Sequence, residues 1–169
     1  MESIGNRKWF VARTRPGTEV SARNHLEKMG VEHFVPTIRR PGWRGRTIEK
    51  PVINGLIFLR ATRDEALELR RAQGLRADYL FDCTTRRMMV IRDKAMGDFQ
   101  RVLAFSTSHD SLIERPLAQG EYVRVTRGPL RGVEGRILTI QGRNCVAVSL
   151  LELLFARAIV PKEWLEIIS

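Results

Sequence analysis

Gly120-Glu121-Tyr122-Val123-Arg124-Val125-Thr126-Arg127-Gly128-Pro129-Leu130-Arg131-Gly132-Val133-Glu134-Gly135-Arg136-Ile137 alternates like a strand, turns through Gly128-Pro129 and alternates again. That is the pattern of two short strands joined by a glycine-punctuated turn. Val123 and Val125 share one face and Arg124 takes the other, because side chains alternate along a strand. Gly128, Gly132 and Gly135 stand where positive φ or close backbone approach leaves no room for a Cβ. Gln141-Gly142-Arg143-Asn144 marks a second hairpin turn, and Pro161 restricts the chain beyond Val160. Residues 120–169 therefore read as a small all-β barrel of four or five short strands. Leu150, Leu151, Leu153 and Leu154 would also suit a helix, but Val123, Val125, Val146 and Val148 favour strands.

Upstream the pattern changes. Trp9 to Arg13 reads as a strand, Pro16-Gly17 as a turn, and Thr18 to Met29 as a helix with Val20, Ala22, Leu26 and Met29 on its apolar stripe and Gly30 at its end. Val31 to Thr37 reads as a second strand and Ile38 to Lys50 as a basic hairpin. The nearly unbroken apolar run Val52 to Leu59 reads as a strand buried on both faces, at the centre of a sheet. Thr62 and Glu65 form a capping box for a helix through about Ala72, with Gly74 beyond it. Tyr79 to Cys83 and Met88 to Ile91 are strand-like, and Asp93 caps a last helix in which Met96, Phe99 and Leu103 recur at helical spacing. Strand, helix, strand, strand, helix, strand is a ferredoxin-like layout, so the fold class is α+β, with an antiparallel sheet and helices on one face. The polar segment Phe105 to Gln119 reads as a linker, able to span about 20 Å as a flexible coil.

The chain has 169 residues with 43% hydrophobic content, enough for one ordinary domain or two small ones. No apolar run approaches the roughly 18 residues that span a bilayer, and the polar start lacks a signal-peptide core, so a soluble, cytoplasmic protein with no membrane role is expected. Cys83 and Cys145 form no CxxC and have no histidine at ligand spacing, which favours buried free thiols over a disulfide or zinc. A net charge of +10 argues for a polyanionic partner. Its distribution is lopsided: residues 1–104 hold 21 Lys/Arg against 12 Asp/Glu, and residues 105–169 hold 8 against 7. Nucleic-acid contact therefore belongs to the first part. Arginine outnumbers lysine 24 to 5, which suits bidentate contacts to phosphate or guanine.

The glycine hairpin of residues 120–137 resembles a KOW motif, the signature of SH3-like barrels in NusG-type transcription factors and some ribosomal proteins. Three further stretches resemble NusG-like factors in the same order. Trp9-Phe10-Val11-Ala12-Arg13-Thr14-Arg15-Pro16-Gly17 is similar to the family's opening strand and turn. Leu26-Glu27-Lys28-Met29-Gly30-Val31-Glu32-His33-Phe34-Val35-Pro36-Thr37 is similar to its first helix end and following strand, and Val148-Ser149-Leu150 with Phe155-Ala156-Arg157-Ala158 to its last KOW loop. The resemblance implies an N-terminal (NGN) domain over residues 7–104, a linker over 105–119 and a KOW domain over 120–169. The basic first domain and the turn Thr84-Thr85-Arg86-Arg87-Met88-Met89-Val90 look most like the specialised RfaH/UpxY antiterminator branch.

As the resemblance implies, the first domain would dock an apolar patch on the clamp helices of RNA polymerase's largest subunit. By motif position that patch draws on Trp9, Phe10, Ile53, Leu56, Phe58 and Tyr79, with Leu56 and Tyr79 expected to be exposed. Family members often carry an aromatic where Leu56 stands. Arg39, Arg40, Arg44, Arg46 and Lys50 surround Trp43 in the basic hairpin, offering cations for phosphates and one aromatic for an unpaired base; the resemblance sets this hairpin near upstream DNA. Arg70, Arg71 and Arg76 match the region that reads the non-template strand in RfaH-like proteins. The nearly neutral KOW domain is better suited to a protein partner, a ribosomal protein or termination factor, through Leu151, Leu154 and Phe155. Ala156 replaces a glycine usual in that loop.

No phosphate loop, GxSxG elbow, HExxH or Cys/His nucleophile pair is present, and His25, His33 and His109 fall on different elements. The expectation is a monomeric binding protein without catalytic residues, metal or cofactor, acting in transcription elongation and antitermination. An RNA-binding or ribosome-associated KOW protein is the alternative.

Overall fold

The computed structural model describes residues 6–105, 112–113 and 120–168. The chain divides after Ile91 into two compact units.

The first unit runs β1 (Lys8–Arg13), α1 (Glu19–Lys28), β2 (Glu32–Phe34), β3 (Thr37–Pro41), β4 (Thr47–Pro51), β5 (Leu56–Ala61), α2 (Arg63–Arg71), β6 (Asp78–Tyr79) and β7 (Val90–Ile91). Its main sheet is ordered β2-β5-β1-β6, with β7 also on β1, and every pairing is antiparallel. Phe10 pairs with Leu59 and Ala12 with Ile57, and these four join Leu26 of α1 and Ala66 and Leu69 of α2 in one buried cluster. The alternate residues Trp9, Val11 and Phe58 point the other way and are buried as well. Contiguous burial from Trp9 to Ala12 and from Ile57 to Leu59 makes β1 and β5 the doubly covered centre that the apolar run Val52–Leu59 predicts.

Local signals explain the helix ends. The Thr62 hydroxyl accepts from the Glu65 N–H at 3.1 Å, closing one half of the capping box. The other half is absent, because Glu65 reaches Arg7 at 3.3 Å instead. At α1 the Thr18 side chain does not cap. Buried Glu19 takes the load: its carboxylate accepts from the Gly17 N–H at 3.0 and 3.1 Å and from the Gly55 N–H at 3.0 Å, tying the first turn to the start of β5.

The second unit comprises α3 (Asp93–Phe105), β8 (Leu112–Ile113), β9 (Tyr122–Val125), β10 (Glu134–Ile140), β11 (Arg143–Leu150), β12 (Leu154–Ile159) and β13 (Leu165–Ile167). Its sheet is ordered β13-β9-β10-β11-β12-β8. Two glycines are dictated by close approach: a Cβ on Gly128 would collide with the Trp164 ring, and one on Gly135 with the Ala147 carbonyl. Residues 150–154, the leucine-rich stretch compatible with a helix, form strand ends and a tight turn in which Leu151 (φ 52°) and Glu152 (φ 58°) are both left-handed. The Leu153 N–H closes it on the Leu150 carbonyl at 2.9 Å.

Two expectations shift. Helix α3, assigned by sequence to a first domain ending at residue 104, packs on β11 and β12 in the second unit, burying Met96, Phe99 and Val102; Val102 takes the place expected of Leu103. Of the segment read as a linker, Phe105 ends α3 and Leu112–Ile113 pairs with β12, and the remainder lies outside the described residues.

Candidate functional site

The basic hairpin is a separate two-stranded ribbon, with Arg39 opposite Glu49 and Ile38 opposite Lys50. Its base is fixed to α1 by a charge-assisted fork: Arg23 donates to both Glu49 oxygens at 2.6 and 2.7 Å, and Thr37 donates to one of them at 2.9 Å. The Arg23 hydrogen bonds, with help from Thr37, hold the Glu49 carboxyl down to about 2. At the tip, Arg44 (φ 57°) and Gly45 (φ 72°) turn the chain. Trp43 is 80% exposed, with the Arg44 guanidinium 4.4 Å from its ring centroid. Arg39, Arg40, Arg44, Arg46 and Lys50 are all exposed, so the structure brings this cluster together as a ribbon of cations with one aromatic at its end.

The second basic cluster is partly spent on internal pairs. Arg70 donates to the Asp78 carboxylate and to the Ala77 carbonyl, and Arg71 pairs with Glu68 at 3.0 Å. Arg76 is exposed and lines a cleft of about 470 Å³ together with Arg13, Arg15 and Arg70. Arg13 and Arg15 are cations that sequence reasoning missed. Their signal was position: a strand end and a turn, both brought beside residues 75–78 by the pairing of Arg13 with Asp78.

The six apolar residues assigned to a docking patch do not share one surface. Phe10 and Tyr79 face the helices, in an edge-to-face pair with centroids 6.2 Å apart. The expectation that Tyr79 is exposed fails: the ring is 6% exposed, its hydroxyl donates to the Ala66 carbonyl at 2.6 Å, and burial raises its pKa. Its register explains this, since Tyr79 pairs with Ala12 on the helix-covered face. Trp9, Phe58 and Leu56 lie on the outer face, where Phe58 also meets Phe34 at 6.2 Å. Trp9 and Phe58 are buried and Leu56 is partly exposed; Ile53, before β5, is buried. Phe81 and Val90 on the β6–β7 arm are exposed apolar groups that the sequence reading passed over.

In the second unit Leu154 and Phe155 are buried, so neither offers a partner surface, while Leu151 is exposed at its left-handed turn. The cause is visible in the burial pattern. Cys145 to Val148 and Leu154 to Ala156 are continuously buried, as strands are when both faces are covered, and α3 lies against β11 and β12. Ala156 sits in extended β12 and needs no glycine conformation. Cys145 is a buried thiol, as expected, but Cys83 is exposed. Among the described residues no group of His, Cys, Asp and Glu could hold a metal, and no helix is long and apolar enough to cross a membrane.

Comparison with known proteins agrees with this geometry. The family described as "Transcription termination factor nusG" matches residues 7–100. The solved structure "Domain interaction in Thermotoga maritima NusG" aligns over 99% of this chain and 100% of its own, with TM-score 0.52 and 19% identity, a likeness of fold alone. Conformations B and A of the MjSpt4:Spt5 complex align at TM-scores of 0.31 and 0.28 with 13% and 12% identity, covering 95% of this chain and 97% and 98% of theirs, and carry no argument. No curated protein matches. Since the matched residues are more than half of the sequence and include all of the first sheet, the chain belongs to the NusG family of transcription factors.

Proposed function

We propose that the protein is an elongation factor of the antiterminator kind, related in role to the RfaH/UpxY branch. Its first unit docks on RNA polymerase, at the clamp helices of the largest subunit, and lays the β3–β4 hairpin against upstream or non-template DNA. The second unit recruits a protein, either a ribosomal protein or a termination factor. It works in the cytoplasm as a monomer, by binding and not by catalysis.

The observation that carries the reading is the hairpin. Its five exposed cations and Trp43 sit on a ribbon whose base is fastened by Arg23, Thr37 and Glu49, so the tip is presented outward. Arg13, Arg15 and Arg76 add a second cationic surface on the same unit. For polymerase, the outer sheet face carries Leu56 beside the buried Trp9 and Phe58. Trp9 is 6% and Phe58 1% exposed, so both serve the core, and Leu56 is the member of this face that a partner can reach. Leu151 is the remaining candidate for the recruited partner.

The test is the salt dependence of binding to single-stranded DNA. Five phosphate contacts give a log-log slope of roughly −3.5, and Arg40→Ala/Arg46→Ala reduces its magnitude by about 1.4. A slope near zero in the wild-type chain removes the direct DNA role and leaves the RNA-binding or ribosome-associated reading to be examined.

A further inference from the structure

Asn54-Gly55 is the sole Asn-Gly pair of the sequence, and it lies in the bend that leads into β5. An asparagine followed by glycine has a reaction of its own, because no Cβ on the second residue obstructs attack by its nitrogen on the asparagine side chain. The Gly55 nitrogen gives up its proton and forms a bond to Asn54 Cγ. The bond from Cγ to the carboxamide nitrogen breaks, and ammonia leaves with that proton. The cyclic succinimide then takes up water at either carbonyl, leaving an aspartyl or an isoaspartyl residue, and nothing is oxidised or reduced.

The surroundings of this pair treat its two halves differently. Asn54 is exposed, so water reaches the side chain. Gly55, at φ 74°, is held on both sides: its N–H donates to Glu19 Oε1 at 3.0 Å, and its carbonyl accepts from the Thr14 N–H at 3.0 Å. Glu19 is itself 1% exposed and fixed by the Gly17 N–H at 3.0 and 3.1 Å. The reaction starts with removal of the Gly55 proton, and the Glu19 carboxylate opposes that step twice. A hydrogen bond to an anion holds the proton on the nitrogen, and a negative charge beside that nitrogen disfavours the amide anion.

We propose that Asn54 is a deamidation site and that Glu19, by holding the Gly55 N–H, suppresses its reaction in the folded chain. Glu19 therefore has a chemical role besides tying α1 to β5. When the clasp opens, Asn54 gains a carboxylate, and in the isoaspartyl product the main chain runs through one more carbon between Ile53, 2% exposed, and Leu56, the first residue of β5.

The full chain is held at mildly alkaline pH, and the fragment containing Asn54 is followed by mass spectrometry for a gain of about 1 Da. Folded wild type is expected to react at least about tenfold more slowly than the same chain unfolded in urea. Folded Glu19→Gln is expected to react at least about fivefold faster than folded wild type, the effect of losing a charge-assisted hydrogen bond. Thr62→Ala weakens the α2 cap in the same unit and leaves Glu19 in place, so it separates this effect from general loosening and is expected to stay within about twofold of wild type. If Glu19→Gln does not fold, hydrogen exchange of the wild-type Gly55 N–H replaces it, because exchange removes the same proton; slowing of at least about a hundredfold relative to the unfolded chain is expected. A folded Glu19→Gln chain that deamidates no faster than wild type, a Thr62→Ala chain that reacts as fast as Glu19→Gln, or a Gly55 N–H that exchanges at the unfolded rate overturns the proposal.

Discussion

Glu49 shows how one residue can position a functional element. Its carboxyl is depressed to about 2, chiefly by the Arg23 hydrogen bonds, so the fork that anchors the hairpin is intact above the ordinary carboxylate range and is lost only as the pH falls through the folded value. A carboxyl-carbon NMR titration of Glu49 is expected to give a midpoint near 2, and Arg23→Ala to move it up toward the unperturbed 4.5. A wild-type midpoint at 4.5 would mean that the ribbon is not fastened in solution. Glu19 is the structural counterpart. Glu19→Ala leaves the Gly17 and Gly55 N–H groups without their acceptor, at a cost of about 2–4 kcal/mol measured by urea unfolding. At Gly128, where a side chain meets Trp164, Gly128→Ala is expected to cost about 1–3 kcal/mol by the same measurement. A change below about 0.5 kcal/mol in either variant would contradict the assigned contact.

At the scale of elements, legibility followed the strength of local chemistry. The glycine turn could be read because Gly128 and Gly135 each answer to a nearby steric contact, and β5 because Ile57, Phe58 and Leu59 are apolar without alternation, as burial on both faces requires. The basic hairpin was visible as a run of arginines around Trp43 and folds as a ribbon. Facing was not legible. Tyr79 looks like an interfacial aromatic, yet pairing with Ala12 turns it to the core, and a one-residue change of register reverses every such assignment. Leu154 and Phe155 look surplus to a small barrel because the sequence does not say that α3 will lie on them. The Met96, Phe99 and Val102 stripe shows that α3 has a partner surface, but periodicity carries no information about which sheet provides it. Arg70 and Arg71 likewise read as free cations until Asp78 and Glu68 arrive beside them.

At the scale of the whole molecule, the chain combines a NusG-family first unit, rich in cations, with a β-rich second unit that is nearly neutral by sequence. This division of charge accords with nucleic acid being met by the first unit and protein by the second. The central claim is that the first unit binds polymerase at Leu56, on the outer face of β1 and β5. Leu56 is the residue to test, because it pairs with Arg13 at the partly exposed end of that face and its replacement opens no buried core. The measurement is retention of purified bacterial core RNA polymerase by the immobilised full chain, compared with a Leu56→Asp variant shown by circular dichroism to be folded. The account predicts that wild type retains polymerase and that the variant binds at least about tenfold more weakly, because a charge replaces an apolar contact residue. Equal retention by the two proteins, or no retention by the folded wild type, would contradict it.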